Sequence, residues 1–260
     1  MLSNQRDRGS SISRVLEIIE AVALSDRPIS PSDLIQNLNI PKPSLHRLLQ
    51  LLETEKFVQT DIQGKVVPGI RSLKMGVAIW QNKYYKAERE AVLSDLSRKI
   101  SATCGLSVPN GQTMTYTDRV QDNFPIQIYL PTGTQVPMYC TAGGKLYLSM
   151  LPSARRNTII EHIQLVPLTK NTLTTSQELK QDIKRVEQQG YAEDNEELAS
   201  GLVGIAVPVV DRNGRYAASL IVHCPTIRKS LDELRACLPD IREAADKLST
   251  MLQSEEPSRH

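Results

Sequence analysis

The residues best suited to chemistry fall in three stretches. In IPKPSLHRLLQLLETEKFV, residues 40–58, Lys42, Ser44, His46 and Arg47 stand together at the front of a leucine-rich run, and no acid occurs between Leu34 and Leu52. Two cations, a hydroxyl and an imidazole without a nearby carboxylate suit phosphates and base edges, so the implied partner is a polyanion. In YCTAGGKLYLSML, Ala142, Gly143 and Gly144 sit just inside the start of a helix. Small residues there would let a carboxylate approach the free amide N–H groups at the positive end of the helix dipole; they would serve equally in a tight strand-to-helix packing contact. In GYAEDNEELASGLVGIAVPV, Glu193, Asp194, Glu196 and Glu197 precede an apolar strand containing Leu202 and Gly204. Acids so closely spaced could hold a metal, form a solvated loop, or mark a pocket edge at which Asp194 accepts a hydrogen bond from a ligand hydroxyl.

A catalytic constellation of nucleophile, base and orienting group is missing. The chain has no G-x-S-x-G elbow, H-E-x-x-H helix or G-x-G-x-x-G fingerprint, and the spacing of Gly143, Gly144 and Lys145 is not that of a phosphate-binding P-loop. His223 and Cys224 are neighbours in sequence, yet adjacent strand residues point to opposite faces and cannot form a dyad. Cys104, Cys140, Cys224 and Cys237 are scattered, with no C-x-x-C pair and no histidine at ligand spacing. That implies reduced, mostly buried thiols. The expectation is a protein that is not an enzyme and uses neither metal nor cofactor.

The elements that must position these residues follow from periodicity. Ile12, Val15, Leu16, Ile19, Val22 and Ala23 recur at helical spacing over Ser11–Leu24. Ser30 as N-cap, Pro31 at the first helical position and Asp33 three residues after the cap start a second short helix, stopped at Asn39-Ile40-Pro41. A third begins near Lys42 or Pro43, with Leu45, Leu48, Leu49 and Leu52 as its buried stripe and Lys42, Ser44, His46, Arg47 and Gln50 on the other side. FVQTD and KVVPG then read as a small hairpin with Gly64 in its turn. Three short helices and a two-stranded wing make a winged helix-turn-helix, whose third helix enters a major groove. Lys65, near the wing tip, is placed to touch the DNA backbone. An amphipathic helix in an ordinary bundle is the bland alternative, but it does not account for the capped preceding helix and the wing.

Residues 70–100 predict two helices: a linker with Leu73, Val77 and Trp80, then one using Ala87, Ala91, Leu93, Leu96 and Ile100 to pack on the next domain. Strands are expected at CGLSVP, TMTYTDRV, IQIYL, GLVGIAVPVVD and RYAASLIVHC, the last two joined through Arg212-Asn213-Gly214. Helices are expected over about Thr141–Leu151, Ser153–His162, Ser176–Gln189 and Leu231–Leu252. The organisation is therefore α+β: a DNA-binding domain at 1–70, a linker helix at 71–82 and a domain with a largely antiparallel sheet at 83–260.

At 260 residues, 40% hydrophobic and 23% charged, the composition is that of a globular protein. No apolar run approaches the ~20 residues of a membrane span, and the opening residues lack a signal-peptide core, so a cytoplasmic location is expected. The formal net charge of +2 lies wholly in residues 1–80, where 10 Lys and Arg face 8 Asp and Glu.

The chain resembles the IclR family of bacterial transcriptional regulators. The head matches through RVLEIIE, PISPSDLIQNLNIPKPSLHRLLQLLETEKFV and the wing, and the second domain through RVQDNFPIQIYLPTGTQVPMYCTAGGKLYLSMLP and GYAEDNEELASGLVGIAVPVVDRNGRYAASLIV. The resemblance implies a GAF/PAS-like effector-binding domain and a homodimer, or dimer of dimers, on double-stranded operator DNA. It implies that a small organic acid modulates this binding, contacting Ala142, Gly143, Gly144, Asp194, Leu202 and Gly204. Many members carry cysteine where this chain has Gly204; the missing side chain would enlarge the pocket, pointing to a bulkier, aromatic acid. The alternative is a small-carboxylate sensor whose head binds a protein partner.

Overall fold

The computed structural model of the chain describes residues 11–25, 27–80, 82–125 and 129–253. It divides into two compact units, residues 1–85 and 86–260.

The first unit opens with α1 (Ser11–Ala23), α2 (Pro31–Leu38) and α3 (Lys42–Thr54). At the start of α2 the Ser30 hydroxyl accepts the Asp33 N–H at 3.1 Å and the Asp33 carboxylate accepts the Ser30 N–H at 3.4 Å, so two otherwise unpaired donors are satisfied reciprocally. Asn39 ends the helix in the left-handed region at φ 49°. Leu45, Leu48, Leu49 and Leu52 of α3 are all buried, against Ile18 and Val22 of α1 and Leu34 of α2. Burial of each leucine stabilises this small core by about 1.5–3 kcal/mol. The wing is β1 (Val58–Thr60) paired antiparallel with β2 (Val66–Pro68). Its turn is fixed by Asp61, whose Oδ1 accepts the N–H groups of Gln63 and Lys65, and by Gly64 at φ +75°. One pairing has no local sequence signal: Ile29, between α1 and α2, exchanges two backbone hydrogen bonds with Val66 and so ties the wing to the helices.

Helix α4 (Ile70–Trp80) leaves the wing, its start held by Ser72 Oγ donating to the Phe57 carbonyl at 2.7 Å and by Arg71, which pairs with Glu55 and lies 4.6 Å over the Phe57 ring. No residue of α4 is buried; Ile70, Leu73, Met75, Val77 and Ile79 are all exposed. Helix α5 (Lys83–Ile100) follows and buries Leu93, Leu96 and Ile100.

The second unit is built on β3 (Thr103–Asn110), β4 (Thr113–Val120), β5 (Gln135–Pro137), β6 (Ala192–Asn195), β7 (Leu202–Val210) and β8 (Tyr216–Pro225). They form one antiparallel sheet in the order β5-β4-β3-β8-β7-β6. Every residue from Leu202 to Val207 is buried, so both faces of the sheet are covered. One face packs against α6 (Ala142–Met150), α7 (Ser153–His162) and α8 (Ser176–Gln189) in a core containing Met114, Tyr116, Leu146, Leu148, Ala206 and Ile221. On the other lie α5 and α10 (Leu238–Gln253), linked by Lys99 and Asp240 at 2.8 Å, with α9 (Leu231–Ala236) leading in.

Three features depart from the sequence reading. The helix expected over Leu231–Leu252 is broken at Cys237, because Pro239 has no N–H to continue the ladder. Short edge strands appear at β5 and β6, the latter within the acidic run. The strand expected at residues 126–130 falls mainly on 126–128, which lie outside the described residues, as does His260.

Candidate functional sites

Helix α3 presents one face to its neighbours and the other to solvent. Lys42, His46, Arg47 and Gln50 are exposed and Ser44 is half-buried. The residue before the helix is Pro41, which makes no side-chain cap, and no acid lies in the first turn. Backbone N–H groups of that turn are thus free to meet phosphate oxygens beside the cationic side chains. On the wing, Lys65 is half-buried and its own N–H is held by Asp61, whereas Ile62 is fully exposed at the tip beside Gln63. Charge singles out Lys65 in the sequence, whereas the turn projects the uncharged Ile62 outward.

The start of α6 is different. Thr141 caps it, accepting the Gly144 N–H at 3.3 Å and donating to the Pro137 carbonyl at 2.9 Å. Ala142, Gly143 and Gly144 are all buried. A β-carbon on Gly144 would come within 2.1 Å of the Met138 carbonyl oxygen, and one on Gly143 within 2.9 Å of Ser107 Oγ. The two glycines let the helix lie directly on neighbouring backbone and sheet, the packing role left open by the sequence. Lys145, one residue on, is fully buried; its ammonium is 2.8 Å from Asp182 of α8 and contacts Glu197. Burial alone would lower the lysine pKa, but the two carboxylates outweigh it and keep the group charged.

The acidic run is neither a solvated loop nor a cluster with shared ligands. Glu193 pairs with Arg235, Glu196 accepts the Gly201 N–H at 2.8 Å, and Glu197 meets Lys145. Asp194 lies 4% exposed, and its Oδ1 accepts the N–H groups of Glu197 at 2.8 Å and Leu198 at 3.3 Å. Burial, then the nearby Glu197 charge, push the Asp194 carboxyl up to about 7 despite those bonds. Among the described residues no group of three or more His, Cys, Asp or Glu is arranged to hold a metal ion. These partners stand 42 and 52 residues away, beyond the reach of local pattern.

Asp194 pairs across the sheet with Gly204, and Gly204 with His223. A β-carbon on Gly204 would stand 3.1 Å from the Val222 carbonyl oxygen, a tight contact, and 3.8 Å from both Asp194 Cβ and His223 Nδ1, so the glycine allows close strand packing beside two polar residues. Beside it is a cavity lined by Thr103, Arg119, Asp122, Leu130, Leu202, His223 and Pro225, with a free volume of about 10 Å³, space for at most one water. Of the six ligand-contacting residues expected from sequence, only Leu202 lines this cavity; Gly204 and Asp194 flank it, and the α6 residues pack elsewhere on the same face. Arg119 and His223 were not among the expected contacts. Alternation from Ile221 puts His223 on the α6-facing side, but Arg119, three residues from Tyr116, reaches that side only through the irregularity that shifts the β3–β4 register at Leu106 and Ser107, which no local pattern announces. The His223 ring lies 5.6 Å from Tyr116, and the Arg119 guanidinium 5.8 Å over that same ring. Burial, then the Arg119 charge, push the His223 imidazole down to about 3, so it is neutral at physiological pH.

A family model described as the C-terminal domain of the bacterial transcriptional regulator IclR matches residues 82–250, and one described as the IclR helix-turn-helix domain matches residues 11–61. The chain is 31% identical over 236 residues to a protein of Cupriavidus necator named as the probable transcriptional regulator SauR, covering 90% of this chain and 94% of the relative. The solved structure of the Thermotoga maritima IclR protein superposes with a TM-score of 0.63 at 23% identity, covering 94% of this chain and 99% of that one. An IclR homologue of Microbacterium hydrocarbonoxydans, solved as a complex with 4-hydroxybenzoate, superposes with a TM-score of 0.60 at 18% identity, again over 94% and 99%. At these identities the two structures speak to the fold alone.

Proposed function

The chain belongs to the IclR family of bacterial transcriptional regulators, which are DNA-binding proteins and not enzymes, and on that footing we propose how its own residues act. Helix α3 enters the major groove of an operator. Arg47 or Lys42 reads guanine edges, and Ser44 and His46 contact phosphate or bases. Lys65 lies against the backbone from the wing. The observation that carries this reading is the division of α3, with four buried leucines behind an exposed Lys42, His46 and Arg47 around an uncapped N-terminus.

The active species is a homodimer or a dimer of dimers, consistent with the exposed apolar side chains of α4, and it works in the bacterial cytoplasm, where its DNA is. A small organic acid binds the second unit beside Asp194, Leu202 and Gly204. An aromatic acid is favoured by the side chain missing at Gly204. The acid shifts operator binding only by the difference in its affinity for the two arrangements of the protein.

A mobility-shift titration on the DNA flanking this protein's own gene, at two salt concentrations and with aromatic and aliphatic carboxylates, tests the reading. Salt-sensitive binding altered by one acid is expected. Absence of any binding to such DNA would move the head to the role of a protein-binding module.

A further inference from the structure

The wing ends in a tip that is closely bonded within itself and yet apolar at its point. The Gly64 N–H donates to the Asp61 carbonyl at 3.0 Å, and Asp61 Oδ1 accepts the N–H groups of Gln63 and Lys65 at 2.8 and 2.9 Å. Aspartate at the first position and glycine at the fourth suit such a turn, which makes no demand for isoleucine at the second. Ile62 occupies that second position and is exposed over its whole surface. Every other large apolar side chain described in the first unit keeps part of its surface covered, the most exposed being Ile12 at 72%. The fold therefore holds an isoleucine in water from which it gains no packing.

The tip stands beside the exposed side of α3. Lys42, His46, Gln50 and Glu53 follow one another at intervals of four, four and three residues, a single stripe along the helix. Glu53 accepts a hydrogen bond from the Thr60 hydroxyl at the end of β1, so the wing borders that stripe. Ile62 lies two residues further on, within about 7 Å of chain. The other strand is fixed to the helices by the Ile29–Val66 bonds at 3.0 and 2.8 Å.

We propose that Ile62 enters the minor groove next to the major-groove site of α3 and makes the operator select A·T pairs there. This inference rests on the reading of α3 as the groove-binding helix. An uncharged, branched side chain has little to offer a phosphate, but it can lie on the sugar edges and the floor of the minor groove. On that floor an A·T pair presents only acceptors, whereas a G·C pair adds the guanine 2-amino group. That group rises into the space the side chain would fill, and isoleucine has no acceptor for its donor.

Mobility-shift titration and hydroxyl-radical footprinting of the full-length protein on the DNA flanking its own gene test the assignment. Ile62→Ala should weaken binding about tenfold, as expected for truncating a buried apolar side chain, and should lose a patch of minor-groove protection. Its denaturation midpoint and salt dependence should match those of the parent, and Ile62→Val should keep most of the affinity. Lys65→Ala should instead lower the salt slope by about 1. For the parent, exchanging A·T pairs in the patch for G·C should weaken binding about tenfold. Inosine·cytosine pairs, which keep the major-groove face of G·C without the 2-amino group, should restore it, and Ile62→Ala should bind all three duplexes alike. Unchanged affinity in Ile62→Ala, a changed salt slope in that variant, or a loss that inosine·cytosine fails to restore would overturn the inference. If Arg47→Ala weakens binding while Ile62→Ala does not, only this inference falls; a parent that binds no such DNA removes the reading of α3 and this inference together.

Discussion

Helices α3 and α6 both begin without an acid in the first turn, and the fold uses the two starts in opposite ways. The first turn of α3 follows Pro41, has no side-chain cap, and places Lys42, His46 and Arg47 in solvent. The first turn of α6 follows a capping Thr141 and is buried, with two glycines against backbone and sheet and a lysine sealed between two carboxylates. The same electrostatic asset, a positive helix end, is offered outward in one case and consumed by packing in the other. The lesson is that the helix dipole does not make a site; exposure of the terminal N–H groups does.

The largest effect that would test this contrast is on stability. Lys145→Ala should destabilise the second unit by about 3–5 kcal/mol, because it leaves the buried Glu197 without its cation and Asp182 with only the exposed Arg185; urea denaturation followed by circular dichroism measures it. Gly144→Ala should cost at least about 1–3 kcal/mol by the same assay, since the new methyl has no space beside the Met138 carbonyl. If the protein tolerates both, the α6 start is not the packed structure described. For α3 the expected signature is reversed. Arg47→Ala should leave the denaturation midpoint almost unchanged and weaken operator binding by about 1–3 kcal/mol, with relaxed preference at one base position in a footprint. A loss of stability in place of a loss of binding would mean that this face is packed as well.

A smaller effect concerns pH. Asp194 holds its proton up to about 7 in the folded chain against 3.8 ordinarily, so between those values it removes stability as pH rises. His223 acts with the opposite sign: the unfolded imidazole protonates near 6.5 and the folded one only near 3, so stability is lost as pH falls through that window. Each contributes a slope of up to about 1.4 kcal/mol per pH unit, and in the parent protein the two offset each other. Asp194→Asn should therefore lose stability on acidification from neutral pH faster than the parent, and His223→Phe should gain it. Denaturation midpoints taken across that range decide the matter; parallel curves for all three proteins would show that neither group titrates as described.

How much of this could be read from sequence depended on the distance to each partner. The Ser30–Asp33 cap, the leucine stripe of α3 and the turn at Asn213-Gly214 each rest on residues within a few positions of one another, and all three stand in the structure. The pairing of Ile29 with Val66 and the assignment of Glu193 to Arg235 depend on segments far apart in the chain, so local pattern was silent on them. The two glycines of α6 illustrate the limit: their type announced a close approach, but only the position of the Met138 carbonyl says what approaches. His223 is plain in the sequence only as the neighbour of Cys224; the residues around its ring come from two other strands, Arg119 and Tyr116 from β4 and Gly204 from β7. The break before α10 has its local signal in Pro239.

The sheet of the second unit ends in two short strands, and this bears on solubility. The β5 edge spans three residues and closes with Pro137, and the β6 edge spans four, carrying the buried, partnered acids Glu193 and Asp194. A foreign strand seeking to extend the sheet meets a missing donor on one side and a brief run of committed carboxylates on the other, the devices by which β-proteins discourage edge-to-edge aggregation. Self-association of this chain is thereby steered away from its sheet edges.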